Sequence, residues 1–162
     1  MAEAVLRRCG ITDMTIAGNT LAERRRDEVK YYGQGRENPY AINIARRDSH
    51  GGWIARPTDV VQFVMHVDGF AAQRNILKSP TIRTMTTPSS ANPHYAKGWE
   101  VNRDGNWWHA GSLPGSATTA ARIHSGLCWA AFVNTGGLNS SLGEDLEGLL
   151  WDMVGEVEGW RT

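Results

Sequence analysis

The chain is poor in the features that mark specialised classes. It has two cysteines, Cys9 and Cys128, too far apart in sequence for a metal knuckle or a redox pair and too few for a disulfide framework. Both are expected as reduced thiols of the core. There is no net charge, with 17 basic residues (14 Arg, 3 Lys) against 17 acidic ones, so no nucleic-acid or anionic-membrane partner is expected. The longest apolar run, Leu127 to Val133, falls far below the roughly 18 residues of a membrane span. The opening MAEAVLRRCG mixes acid and base without an apolar centre, so no signal peptide is expected and a cytoplasmic location follows. His50, His66, His94 and His124 show neither His-x-His nor His-Glu-x-x-His spacing, so no metal or other cofactor is expected. Internal repeats and low-complexity segments are lacking too.

What the chain does have is 18 Gly, 7 Trp, 41% hydrophobic and 21% charged residues in 162 positions, the make-up of an ordinary globular protein. The length predicts one domain over 1–162. Its hydrophobic period changes near residue 95, which separates a helical and loop region, 1–94, from a region of β-hairpins and a closing helix, 95–162.

Residues 2–9 read as the last turns of a helix, with Gly10 free to take the left-handed conformation that ends it. Residues 11–56 are punctuated by Gly33, Gly35, Pro39, Gly51 and Gly52 and read as irregular. A stretch of that length belongs to a surface wrap or a site. Within it Arg24, Arg25 and Arg26, flanked by Glu23, Asp27 and Glu28, read as a solvated face. Pro57 suits a first helical position, and Val60, Val61, Val64 and Val67 follow at helical spacing, so 57–68 is predicted as an amphipathic helix. Ser79-Pro80 starts another, closed before Pro88.

The period then switches. Lys97–Asn102 and Asn106–Gly111 read as a hairpin turning at Asp104-Gly105, and 117–123 with 127–135 as a second hairpin turning at His124-Ser125-Gly126. Ser141 and Glu144 form a potential capping box ahead of a stripe of Leu142, Leu146, Leu149, Leu150, Met153, Val154 and Val157, predicting a helix over 142–158. The fold class is α+β: an antiparallel sheet of three or more strands flanked by helices, with the last helix covering the sheet.

The most informative segment is Trp107-Trp108-His109-Ala110-Gly111-Ser112-Leu113-Pro114-Gly115-Ser116. Here a strand ends in His-Ala-Gly, where small residues let a ligand approach the backbone. Taken alone, His109 reads as a strand-end histidine beside two tryptophans, and Pro114-Gly115 as a tight turn. Ser112 and Ser116 lack the Gly-x-Ser-x-Gly frame of a nucleophile elbow.

Six segments in register nevertheless resemble the C-terminal half of a serine β-lactamase or penicillin-binding-protein-like hydrolase, most closely the class C and esterase-type branch. They are Gly10-Ile11-Thr12-Asp13-Met14, Gly51-Gly52 before a helix, Thr87-Pro88, Gly98-Trp99, His109-x-Gly111 with Pro114-Gly115, and Asn134-Thr135-Gly136. The resemblance implies that His109 helps to bind a substrate carboxylate or to shuttle a proton, and that the N–H of Ser112, just after Gly111, joins an oxyanion hole. It further implies acyl transfer to a serine and then to water, on a β-lactam, a D-Ala peptide or a small ester.

The family's nucleophile motif, Ser-x-x-Lys, is missing: Asp27, Asn75 and His94 stand three residues before Lys30, Lys78 and Lys97. Tyr-x-Asn is missing too, and Ser90-Ala91-Asn92 lies too near His109, between prolines, to replace it. Both motifs belong to the family's N-terminal half, so the chain is expected to be inactive alone. In the family, the strand matching Leu127–Val133 pairs with an N-terminal strand. Without that strand the segment would present an open edge and an apolar face, which predicts a homo-oligomer or a separate N-terminal-half chain as partner. The other reading is a non-catalytic, self-associating binding or structural module derived from the same fold.

Overall fold

The computed structural model describes residues 3–137 and 140–157. In chain order the strands and helices are β1 (Thr15–Ile16), β2 (Tyr32–Gly33), β3 (Trp53–Ile54), α1 (Pro57–Met65), α2 (Ser79–Thr86), β4 (Glu100–Val101), β5 (Trp107–Leu113), β6 (Ser116–Arg122), β7 (Cys128–Val133), β8 (Thr135–Gly136) and α3 (Leu142–Glu156). The fold class is α+β, as the hydrophobic periods predict.

The central sheet is antiparallel in the order β4-β5-β6-β7, built from the two expected hairpins. The first turns where Gly105 takes φ 79°, with the Asn102 side chain accepting the N–H groups of Asp104 and Asn106. The second hairpin turns at Gly126, φ 102°. The β5–β6 connection is Leu113-Pro114-Gly115-Ser116. Proline presets the second position and Gly115 supplies φ 87° at the third, the chemistry of a type II turn.

Register sorts the side chains. Trp107 pairs with Arg122, Gly111 with Thr118, and Arg122 with Cys128. One face therefore carries Trp107, His109, Gly111, Ala120, Arg122 and Cys128, and the other carries Trp108, Ala110, Ser112, Ala121 and Trp129. On the first face, Val64 and Val67 at the end of α1 bury themselves with Val101 and Trp107. On the second, Trp151 of α3 meets the Trp129 ring edge-on at 4.8 Å. Helices thus cover both faces, whereas the sequence assigned that task to the last helix alone.

Four expectations need correction. The helix predicted over 2–9 is a single 3-10 turn, Leu6–Cys9, with residue 2 outside the described residues. Gly10 does close it at φ 73°, and Ile11 N–H returns to the Leu6 carbonyl at 2.9 Å. Leu6, Cys9 and Ile11 pack as a second small core, which the closed turn holds together. The irregular stretch 11–56 contributes short strands: β1 pairs antiparallel with β3, and β2 runs parallel to β8. Such pairs lie far apart in sequence and are too short to show a period. The Ser141–Glu144 capping box does not form, because Ser141 already has helical backbone angles and its hydroxyl donates to Asp145 at 2.9 Å. Finally, the apolar stripe of α3 is split: Leu142, Leu146, Leu150 and Val154 are partly buried, but Leu149, Met153 and Val157 are exposed. Residue 158 lies outside the described residues. Cys9 is fully buried, Cys128 only half so, and both are free thiols.

Candidate active site

β4 covers only the start of β5, pairing Val101 with Trp107 and Glu100 with Trp108. From His109 to Leu113 no strand lies along that side of β5 among the described residues. Which backbone groups face this opening follows from the hairpin. Asn102 N–H donates to the Asn106 carbonyl at 3.2 Å, and hydrogen-bonded pairs alternate along an antiparallel ladder. With β5 in unbroken register, Trp108, Ala110 and Ser112 turn their N–H and C=O groups toward the β4 side, while Trp107, His109 and Gly111 bond to β6. The N–H of Ser112 therefore points into the opening.

The side chains around it are small or exposed. His109, Gly111 and Ser112 are all solvent-exposed; on the face of His109 and Gly111 this is because α1 lies across β6 and β7 and does not roof this end of β5. Gly111 leaves little room beside its cross-strand neighbour: a β-carbon there would lie 3.1 Å from Thr118 Oγ1, which would have to give by a few tenths of an ångström. The Ser112 hydroxyl donates to the Gly137 carbonyl at 3.1 Å, which ties the strand end to the segment after β8. It is thus a structural tether, while its backbone N–H remains available for a ligand.

Two loops buttress the end of the strand. The Gly51-Gly52 segment comes up to it, a β-carbon on Gly51 lying 3.7 Å from Leu113 Cδ1. The loop around Tyr31 and Pro39 seats the β5–β6 turn, since a β-carbon on Gly115 would fall 2.7 Å from Pro39. Tyr31 N–H in turn donates to the Tyr40 hydroxyl at 3.0 Å. Burial, with the nearby Glu28 carboxylate, raises the Tyr31 phenol well above its ordinary pKa, so it stays protonated at neutral pH. Asn134 ties the same loop down, its side chain donating to the Lys30 carbonyl at 2.9 Å, and Gly136 accepts from Gly115 N–H at 2.9 Å.

Of the motif segments, the structure gathers Gly51-Gly52, His109 to Gly115 and Asn134 to Gly136 around one end of β5. It does not gather Gly10 to Met14, which leads instead to an ion pair between Asp13 and Arg56 at 3.4 Å, ahead of α1. Thr87-Pro88 and Gly98-Trp99 belong to the approach to β4, where Lys97 donates to the Thr87 carbonyl. Sequence reasoning missed the Tyr31–Tyr40 loop, which carries no periodic signal; only the crowding of Gly33, Gly35 and Pro39 hinted at it. No group of three or more His, Cys, Asp or Glu side chains that could hold a metal ion occurs among the described residues, nor is any helix there long and apolar enough to cross a membrane.

No family model and no curated protein matches this sequence. Solved structures do. The chain resembles a D-amino acid amidase from Ochrobactrum anthropi, solved with D-phenylalanine, at TM-score 0.67 and 17% identity over 96% of this chain and 52% of that one. It also resembles a D-stereospecific amidohydrolase from a Streptomyces species at TM-score 0.60 and 19% identity, over 83% of this chain and 42% of that one. This is an incomplete β-lactamase-like fold. The chain spans about half the length of each of these structures. From His109 to Leu113, β5 combines backbone groups turned away from β6 with an edge that no strand covers among the described residues.

Proposed function

We propose that this chain forms one wall of a β-lactamase-like serine hydrolase site, in which His109 contacts the substrate and the N–H of Ser112 donates to the developing oxyanion. The observation that carries this reading is the open edge of β5 from His109 to Leu113, where Ser112 N–H faces outward next to a side-chain-free Gly111. An N–H aimed at the oxyanion lowers the barrier by roughly 3–4 kcal/mol in a complete site. The substrate class is an acyl compound: a β-lactam, a D-Ala peptide, a small ester or, on the likeness to D-stereospecific amidohydrolases, a D-amino acid amide. The His-Ala-Gly sequence favours the class C and esterase-type branch.

The nucleophile is not in this chain. In this reading a segment bearing Ser-x-x-Lys and Tyr-x-Asn supplies it, with the outer edge of β7 as its docking strand. Ile123 N–H donates to the Leu127 carbonyl, so by the same alternation Cys128, Ala130 and Phe132 direct their backbone groups away from β6, where no strand meets them among the described residues. An unpaired edge of this length invites another strand. Alone, the chain should show no covalent adduct by intact mass after incubation with a penicillin or a fluorophosphonate. A stoichiometric serine adduct would overturn this assignment. Co-expression with a half-chain carrying the two motifs should restore turnover, and failure to do so would count against the shared site.

The same open edge supports a second reading, a non-catalytic module that pairs β7 with β7 of another copy. A clean monomer at micromolar concentration would remove it.

A further inference from the structure

At the opposite end of β5 from the open edge lies a cavity of about 480 Å³, bounded by the β4–β5 turn, α2 and the segment after α1. His109, Gly111 and Ser112 take no part in its walls, so it is separate from the acyl-transfer site. Its apolar walls include Phe70, Ile82, Val101 and Trp107, and its cationic ones Arg83, Arg103 and Arg122.

Arg122 is the anomaly. Its guanidinium is stacked 3.9 Å from the Phe70 ring centre and 5.7 Å from that of Trp107. Two bonds hold it, one to the Gly105 carbonyl and one to the Asp68 carbonyl, each at 3.0 Å, and both go to backbone oxygens rather than to a carboxylate. Its Nε is buried with no hydrogen-bond partner. Asp68 is the single acidic residue on the cavity wall, its side chain takes the Phe70 N–H at 2.7 Å, and it forms no ion pair with Arg122. Burial depresses the Arg122 pKa and raises that of Asp68, and the attraction between the two charges offsets each shift only in part.

A half-buried cation whose one nearby carboxylate makes no direct ion pair with it is only partly compensated. Each Nη of Arg122 keeps a further N–H beyond the bond it makes, while Arg83 and Arg103 add exposed positive charge at the rim. Three guanidiniums facing one carboxylate leave the cavity electropositive. Its volume falls in the range of small-molecule sites lined by apolar walls with a few fixed polar groups.

We propose that this cavity binds a small organic carboxylate with an apolar body, its carboxylate on Arg122 and its body between Phe70, Ile82 and Trp107. Arginine suits the planar carboxylate fork.

The test is a titration of the full chain with phenylacetate, with neutral phenylacetamide and with inorganic phosphate, followed by backbone, Trp indole and Arg Nε resonances. Phenylacetate should give saturable shifts at Trp107 and Arg122 that weaken as NaCl is raised. Phenylacetamide should give none at matched concentration. Arg83→Gln and Arg103→Gln, both at exposed positions and so expected to fold normally, should each weaken phenylacetate binding about three-fold. Arg122→Gln should abolish it. Equal binding of phenylacetamide would show a merely apolar cavity and overturn the proposal, as would unchanged affinity in both rim variants. Phosphate binding as tightly as phenylacetate would also refute it, because the apolar body would then contribute nothing.

Discussion

Gly115 carries two constraints at once. It holds φ 87°, and a β-carbon would lie 2.7 Å from Pro39 and 2.9 Å from Tyr31. Gly115→Ala should therefore destabilise the chain by roughly 2 kcal/mol through backbone strain and overpacking, or about 4–8 °C in thermal midpoint. An unchanged midpoint by calorimetry would show that the loop does not seat the turn. Cys128 makes a second residue-scale prediction. Burial pushes its thiol up to about 11, so about one molecule in a thousand carries the thiolate at pH 8, against about a quarter for an ordinary thiol. Alkylation of the folded chain by iodoacetamide at pH 8 should accordingly be at least about 100-fold slower than in urea, read by intact mass. A thiol with a raised pKa in the fold favours the native state while both states are protonated. That contribution is lost as pH climbs from about 9 toward about 11, so the thermal midpoint should fall across this window and stay level below it. The raised Tyr31 phenol adds to the loss in the same direction at still higher pH.

Among the elements, α1 has the largest reach. Phe63 on its inner side touches both the Val64–Trp107 core and the Leu6–Ile11 core. Phe63→Ala should cost about 3 kcal/mol, at the lower end for a large aromatic because the side chain is only partly buried. The loss should appear as one cooperative transition by both near-UV and far-UV dichroism; two separated transitions would mean that the cores are independent. The N-terminus of α3 makes the opposite prediction. Since the Ser141 hydroxyl caps no backbone N–H, Ser141→Ala should change stability by less than about 0.5 kcal/mol in urea unfolding, far below the roughly 1 kcal/mol of a true cap.

The elements also show how far pattern reading reaches. The valine spacing of α1, the Asp104-Gly105 turn and the Pro114-Gly115 turn are local, and a single sequence displays them. β1 with β3 and β2 with β8 are two-residue pairs bridging distant segments, too short for any period. The cap of α3 failed for a different reason: Ser-x-x-Glu marks a box only where the first residue leaves the helical region, and Ser141 does not. A box of that pattern does form at Thr20-Leu21-Ala22-Glu23, where Thr20 is extended and Glu23 reaches back, inside the stretch that read as irregular.

For the whole molecule two open edges of the central sheet matter most among the described residues. One, on β5, is short and lined by small residues, as suits a ligand; the other, on β7, is six residues long and apolar. α3 adds exposed Leu149, Met153 and Val157, which increases the apolar surface left to a partner. Light scattering at micromolar concentration should report a dimer or larger species for the chain alone. Phe132→Lys, which puts a charge on the outer strand, should shift that population toward monomer. A monomer at all concentrations would leave β7 as a merely tolerated edge.

The sequence by itself determined the class of fold and both hairpins, because these depend on turn chemistry and short-range period; His109, Gly111 and Ser112 stood out only through the resemblance to a known family. It could not say which way the Ser112 N–H points, that its hydroxyl is spent on Gly137, or that the 31–40 loop holds the turn. Nor could it single out Arg122, one arginine among fourteen, as the half-buried charge that faces a cavity without a direct ion pair. Those outcomes depend on register and on contacts between segments distant in the chain, and only the tertiary structure sets them.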